Sequence, residues 1–100
     1  MGERNVFELR VVVNNRVFNQ VIIDQYYRVK HQELNDELIL ELVMKIHNGI
    51  YLIEEVKGDF NYFTIEPLFY GNFPFKLILF FGNDDDYLGV VNAYRVRRKK

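Results

Sequence analysis

Three features of the 100-residue sequence predict an α+β fold. Apolar residues alternate on both sides of an Asn-Asn pair in residues 7–23. One stretch, residues 35–49, repeats apolar side chains at helical spacing behind a capping residue. Four further apolar runs, divided by Gly, Asn and Asp, fill the remainder. The expected architecture is an N-terminal β-hairpin and one main helix packed on a twisted, mainly antiparallel sheet. The length suits a single domain, residues 1–100, with a core of its own.

The elements follow in order. FELRVVV, residues 7–13, puts Phe7, Leu9, Val11 and Val13 on one face of a strand. Asn14 and Asn15 tolerate positive φ, which predicts a two-residue hairpin turn. RVFNQVII, residues 16–23, returns as the second strand. Its alternation sets Val17, Val21 and Ile23 on one face and Phe18, Gln20 and Ile22 on the other. Residues 24–33 carry no clear period; a short helix there brings Tyr27 and His31 to one side, four residues apart. Asn35 is a good N-cap, and Asp36 and Glu37 suit the positive end of the helix dipole. Leu38, Ile39, Leu42, Val43 and Ile46 make the buried stripe, and Asn48-Gly49 ends the helix. The rest reads as strands over residues 50–56, 60–70, 75–81 and 87–98. Turn chemistry at Lys57-Gly58-Asp59, at Gly71-Asn72 and from Gly82 to Asp86 separates them. Pro67 cannot donate to a ladder, so it marks an edge or a bulge.

Composition narrows the function classes. The chain is 49% hydrophobic and 16% aromatic, which fits a globular protein. No apolar run reaches the ~18 residues of a membrane span, and MGERNVFELR has no apolar h-region of a signal peptide. A cytoplasmic protein with no membrane partner is the expectation. The chain has no cysteine, which removes disulfides, thiolate nucleophiles and Cys-based zinc sites. The net charge of −1 hides an asymmetry: Arg95, Arg97, Arg98, Lys99 and Lys100 sit at one end, while residues 1–94 hold 8 basic and 14 acidic side chains. A basic end on an acidic body can hold RNA phosphates or an acidic partner, or it can be a solubilising terminus. The acidic body argues against broad nonspecific nucleic-acid binding.

Four places carry candidate chemistry. Arg28, Lys30 and His31 put an imidazole and two cations within four residues. Metal-independent RNA cleavage needs a base for the 2′-hydroxyl, an acid for the leaving 5′-oxygen and positive charge at the phosphorane. This cluster has those residue types; it equally fits a solvated lead-in to the helix. In YLGVVNAYRVRRKK, Tyr94 and Arg95 fall on opposite faces of a strand. Tyr94 suits base stacking and Arg95 a phosphate clamp, unless Tyr94 simply packs on the helix. Lys76, alone in FPFKLILFF, either lines a site or guards a sheet edge. Glu66 is a candidate general base. The expected catalytic residues are therefore His31, Glu66 and Tyr94, with Arg28, Lys30, Lys76 and Arg95 on the substrate. Asp84, Asp85 and Asp86 read as a solvated turn without metal-ligand spacing, and His47 as a last-turn residue. No phosphate-cradling loop, HExxH motif or dinucleotide fingerprint is present, so neither a metal nor a cofactor is expected. The Phe and Tyr residues of 60–81 exceed what one covered sheet face needs, which points to an outward aromatic face for a protein partner or a homodimer. A noncatalytic interaction module is the competing reading.

The Lys30-His31 pair, the helix opening Leu34-Asn35-Asp36-Glu37 and the closing LGVVNAYR together resemble the layout of BrnT-type toxins, members of the RelE-like ribonuclease toxins of toxin–antitoxin systems. The likeness spans residues 24–95; here a hairpin precedes it. It implies a small sheet with packed helices, a metal-independent endoribonuclease and a tightly bound antitoxin. Lys30 and His31 match the lead-in pair of that group and Arg95 its terminal-strand basic residue.

Overall fold

The computed structural model describes residues 3–97. Six strands form one sheet: β1 Arg4–Val13, β2 Arg16–Asp24, β3 Glu55–Lys57, β4 Phe60–Tyr70, β5 Phe73–Gly82 and β6 Tyr87–Arg95. Their order is β1-β2-β6-β5-β4-β3. The chain leaves β2 through two helices, α1 Tyr27–Lys30 and α2 Asp36–Lys45, runs out to β3 and meanders back. The last strand enters beside β2 and pairs with it in parallel, while the other neighbours are antiparallel.

This corrects the expected fold class. Strand takes 56% of the described residues and helix 15%, so the protein is a six-stranded mixed sheet close to all-β rather than one main helix on a sheet. The physical reason is the amount of strand-forming sequence. β-branched and aromatic residues recur along the runs on both sides of residues 35–47, and helices of four and ten residues cover only part of one face.

The hairpin turn forms as its sequence requires, with φ of 54° at Asn14 and 63° at Asn15. The faces of β2 do not follow simple alternation: Phe18 is buried and Val17 exposed. A bulge in β1 between Glu8 and Val11 shifts the register there, so the strand twists and both Phe18 and Val21 reach the core. At α2, the Asn35 side chain accepts from Leu38 N–H at 2.8 Å. Ile39, Leu42, Val43 and Ile46 are fully buried in one core cluster with Val11, Val13, Val21 and Leu88. Both ends of α2 are tied to β1. Asn5 donates to Asp36 at one end, and His47 Nδ1 accepts from Val12 N–H at 3.0 Å at the other.

Residues 50–56, expected as a strand, form ladder pairs only from Glu55. Asn14 explains this. Its side chain accepts from Tyr51 N–H at 2.6 Å and donates to Tyr51 C=O at 3.0 Å, giving that backbone a partner outside any ladder. Tyr51 then stacks on Phe63 and covers the core beyond α2. In β4 a bulge sets Glu66 and Pro67 together opposite Lys76. Pro67 also lies past the last residue that β3 pairs, so it is at a bulge and an open edge at once. The last strand ends at Arg95; Arg98, Lys99 and Lys100 lie outside the described residues.

Candidate functional site

On β5, Phe75, Leu77, Leu79 and Phe81 turn to the core, so Lys76, Ile78 and Phe80 turn to the opposite face. Both bulges that flank this strand lie in its neighbours, so β5 itself keeps a regular alternation. Lys76 pairs with Tyr94 of β6. On its other side the β4 bulge leaves Glu66 within reach, and Lys76 Nζ lies 3.6 Å from Glu66 Oε1. The ammonium also sits 5.7 Å from the centre of the Tyr94 ring. His31, which caps the end of α1, stacks on that ring with centroids 5.0 Å apart and planes inclined by 25°. Its Nδ1 faces Glu33 at 3.9 Å. The structure thus brings His31 and Lys76 to the Tyr94 ring and Glu66 to Lys76. The His31 and Lys76 side chains are each 25% exposed, which leaves them open to a ligand.

The electrostatics follow from those contacts. The Tyr94 hydroxyl holds the Lys76 ammonium above its ordinary value; partial burial opposes this, and the Glu66 carboxylate adds to it. Lys76 is therefore a standing positive charge at neutral pH and not a proton donor. Tyr94 connects the cation to the imidazole. A carboxylate and an imidazole flanking a cation are the groups needed to move one proton from a hydroxyl and another to a leaving oxygen.

The other expected residues lie elsewhere. Arg28 stands over the Tyr27 ring, bonds to Gln25 and lies 3.5 Å from Asp36. Lys30 is exposed at the end of α1, next to His31. Arg95 pairs with Phe75 and has its guanidinium 4.7 Å above the Phe73 ring, on the face opposite Tyr94. Asp86 is engaged with Asn19 and the Asp85 carbonyl with Arg16, and no metal-holding cluster occurs among the described residues. No helix among them is long and apolar enough to cross a membrane.

Two groups escaped the sequence reading. Glu33 is one; its spacing of two from His31 was the available signal. Asp36 is the other. Read as a helix-dipole residue, it is in fact 9% exposed and accepts from three side chains. The Tyr27 hydroxyl donates at 2.6 Å, Asn5 at 2.7 Å and Gln25 at 3.1 Å. Burial pushes its carboxyl up, but these donors and the Arg28 charge outweigh that and hold it below the ordinary 3.8. Burial, with the hydrogen bond and charge of Asp36, pushes the Tyr27 hydroxyl well above its usual range. Asp36 locks α1 against the sheet, and α1 carries His31 to Tyr94.

The chain matches no protein-family model, no curated protein and no solved structure. The likeness to RelE/BrnT-type toxins rests on the sequence layout alone.

Proposed function

We propose that the protein is a metal-independent endoribonuclease acting at the His31–Tyr94–Lys76–Glu66 cluster, in the manner of the RelE/BrnT-type toxins that its sequence layout resembles. The observation that carries this reading is the placement of an imidazole and a cation on the Tyr94 ring, with a carboxylate beside the cation, from separate elements. Glu66 takes the proton of the 2′-hydroxyl. The 2′-oxygen attacks phosphorus as the bond to the 5′-oxygen breaks, and His31 protonates that leaving oxygen. The products are a 2′,3′-cyclic phosphate and a 5′-hydroxyl. Lys76 offsets the charge that builds on the phosphorane. Tyr94 positions both His31 and Lys76, and Glu33 orients the imidazole through Nδ1. Arg28 and Arg95 have no part in this step, since one is engaged with Asp36 and the other stands on the far face.

An antitoxin fits the apolar surface at the β4–β5 turn, where Phe69, Tyr70 and Phe73 are exposed beside the unpaired part of β4. The same surface favours the second reading, a noncatalytic module or homodimer that binds protein there. Cleavage of a mixed-sequence RNA in EDTA separates the two. Wild-type cleavage that falls at least ~100-fold in His31→Ala supports acid–base catalysis. No cleavage, or equal cleavage by both proteins, refutes it.

A further inference from the structure

The face that carries Lys76 and Tyr94 has a second feature. Toward the far end of β5 it sinks into a hollow of about 230 Å³, smaller than a drug-sized pocket. Its walls include Phe60, Tyr62, Phe80 and Tyr87, with Arg4 and Asp24 on the opposite side. Phe80 is the centre of the aromatic wall. Tyr62 stacks on it at 5.6 Å, and Phe60 and Tyr87 meet it edge-on at 5.7 and 6.0 Å. Gly89 makes room for this: the Phe80 ring lies against the β6 backbone where any side chain on Gly89 would stand. The rings are thus held by one another and by the sheet, and a planar ligand meets a prepared surface.

The polar groups select among planar ligands. Arg4 supplies a cation beside the rings, which suits a phosphate. Asp24 pairs with Arg4 across the β1–β2 ladder, and its Oδ1 accepts from Tyr26 N–H at 2.9 Å. A carboxylate on the rim accepts from an exocyclic amino group, as on cytosine. Aromatic rings on an open sheet face, with a cation at the side, are how proteins hold single-stranded RNA bases. Lys76 and Phe80 share this face four residues apart on a regular strand, about 14 Å at the usual rise. A short single-stranded segment bridges them.

We propose that this hollow is a nucleobase subsite: it holds one amino-bearing base of a single-stranded RNA against the aromatic wall of Tyr62, Phe80 and Tyr87, while Arg4 takes a neighbouring phosphate. The inference rests on the ribonuclease reading only in taking RNA as the ligand; the hollow itself is separate from the Lys76 cluster. It also gives the acidic chain a way to bind RNA without a broad basic face.

The test uses fluorescein-labelled eight-nucleotide oligocytidylate and oligouridylate, by anisotropy in EDTA, with His31→Ala as the background so that the probe stays intact. Oligocytidylate is expected to bind more tightly than oligouridylate, and Tyr62→Leu to weaken it roughly tenfold, within the range of one lost base stack. Tyr62 is half-buried, and thermal unfolding of Tyr62→Leu checks its folding. A second measurement needs no variant. Cytidine monophosphate added to the wild-type protein is expected to shift the ring proton resonances of Tyr62 and Tyr87 and to leave those of Phe69 and Phe73 in place. Unchanged affinity in Tyr62→Leu, equal binding of the two oligomers, or shifts confined to other rings overturns the subsite. Binding in the hollow without cleavage by wild type upholds the subsite and refutes the ribonuclease reading. Cleavage that is indifferent to Tyr62→Leu does the reverse.

Discussion

Replacing Asp36 by Ala tests both the fold and the route by which His31 is placed. The carboxylate accepts from Tyr27, Asn5 and Gln25 and faces Arg28. A hydrogen bond to a charged group contributes about 1.5–3 kcal/mol, and leaving a buried donor without a partner costs about 1–3 kcal/mol. Of the three donors only the Tyr27 hydroxyl is in a fully buried contact; Asn5 and Gln25 are part-exposed and recover water. The Arg28 side chain is half exposed and contributes little. Alanine regains some helix propensity but loses the favourable dipole interaction, and these nearly cancel. The expected loss is about 3 kcal/mol, a drop in Tm of roughly 12–24 °C for a domain of this size. Urea unfolding at pH 7, followed by far-UV circular dichroism, measures it. A loss below ~1 kcal/mol would refute the node. Tyr27→Phe should be strongly non-additive with Asp36→Ala, because both remove the same bond.

The same node sets a pH dependence of known sign. The Asp36 carboxyl is depressed in the folded protein, so its contribution is full above the ordinary 3.8 and fades as pH falls through the lower folded value. Asp36→Ala should lack that part of the acid limb. The Tyr27 hydroxyl is raised, so its contribution is full below its ordinary 10.0 and is lost as pH rises beyond it.

Further outcomes are expected. Lys76→Met should cut RNA cleavage by ~100-fold or more while leaving the melting temperature nearly unchanged, since a transition-state charge is removed from an ammonium that is already part-exposed; equal cleavage would exclude Lys76 from the step. Gly89→Ala should displace the Phe80 ring and destabilise by about 1–3 kcal/mol, read from thermal unfolding; an unchanged melt would show that the ring is free to move aside. Asn35→Ala should cost ~1 kcal/mol by loss of the bond to Leu38 N–H, measured in the same urea assay.

Local chemistry was legible where neighbouring residues decide it. The Asn14-Asn15 turn, the Asn35 cap, the apolar stripe of α2 and the edge or bulge at Pro67 each depend on backbone preferences within a few residues, and each was read from the chain alone. His31, Glu66, Lys76 and Tyr94 were chosen for their chemical type, one at a time. What brings them together is not local. It takes β6 entering beside β2, a β4 bulge opposite Lys76, and α1 anchored through Asp36.

The misreadings have the same origin. Helical periodicity is a strong signal and drew attention to one helix, whereas the share of sheet depends on which runs find hydrogen-bond partners. Residues 50–56 have a strand-like pattern, yet Asn14 supplies the partner that a ladder would have offered. Arg28 and Arg95 looked alike as cations; pairing with Asp36 and placement over Phe73 separate them from the site. Sequence by itself determined where the chain turns, which residues cap the helix and which carry usable chemistry, because those follow from short-range sterics and side-chain type. Only the tertiary structure decided strand order, the two faces of the sheet and the company each polar group keeps, because those depend on pairings between residues far apart in the chain.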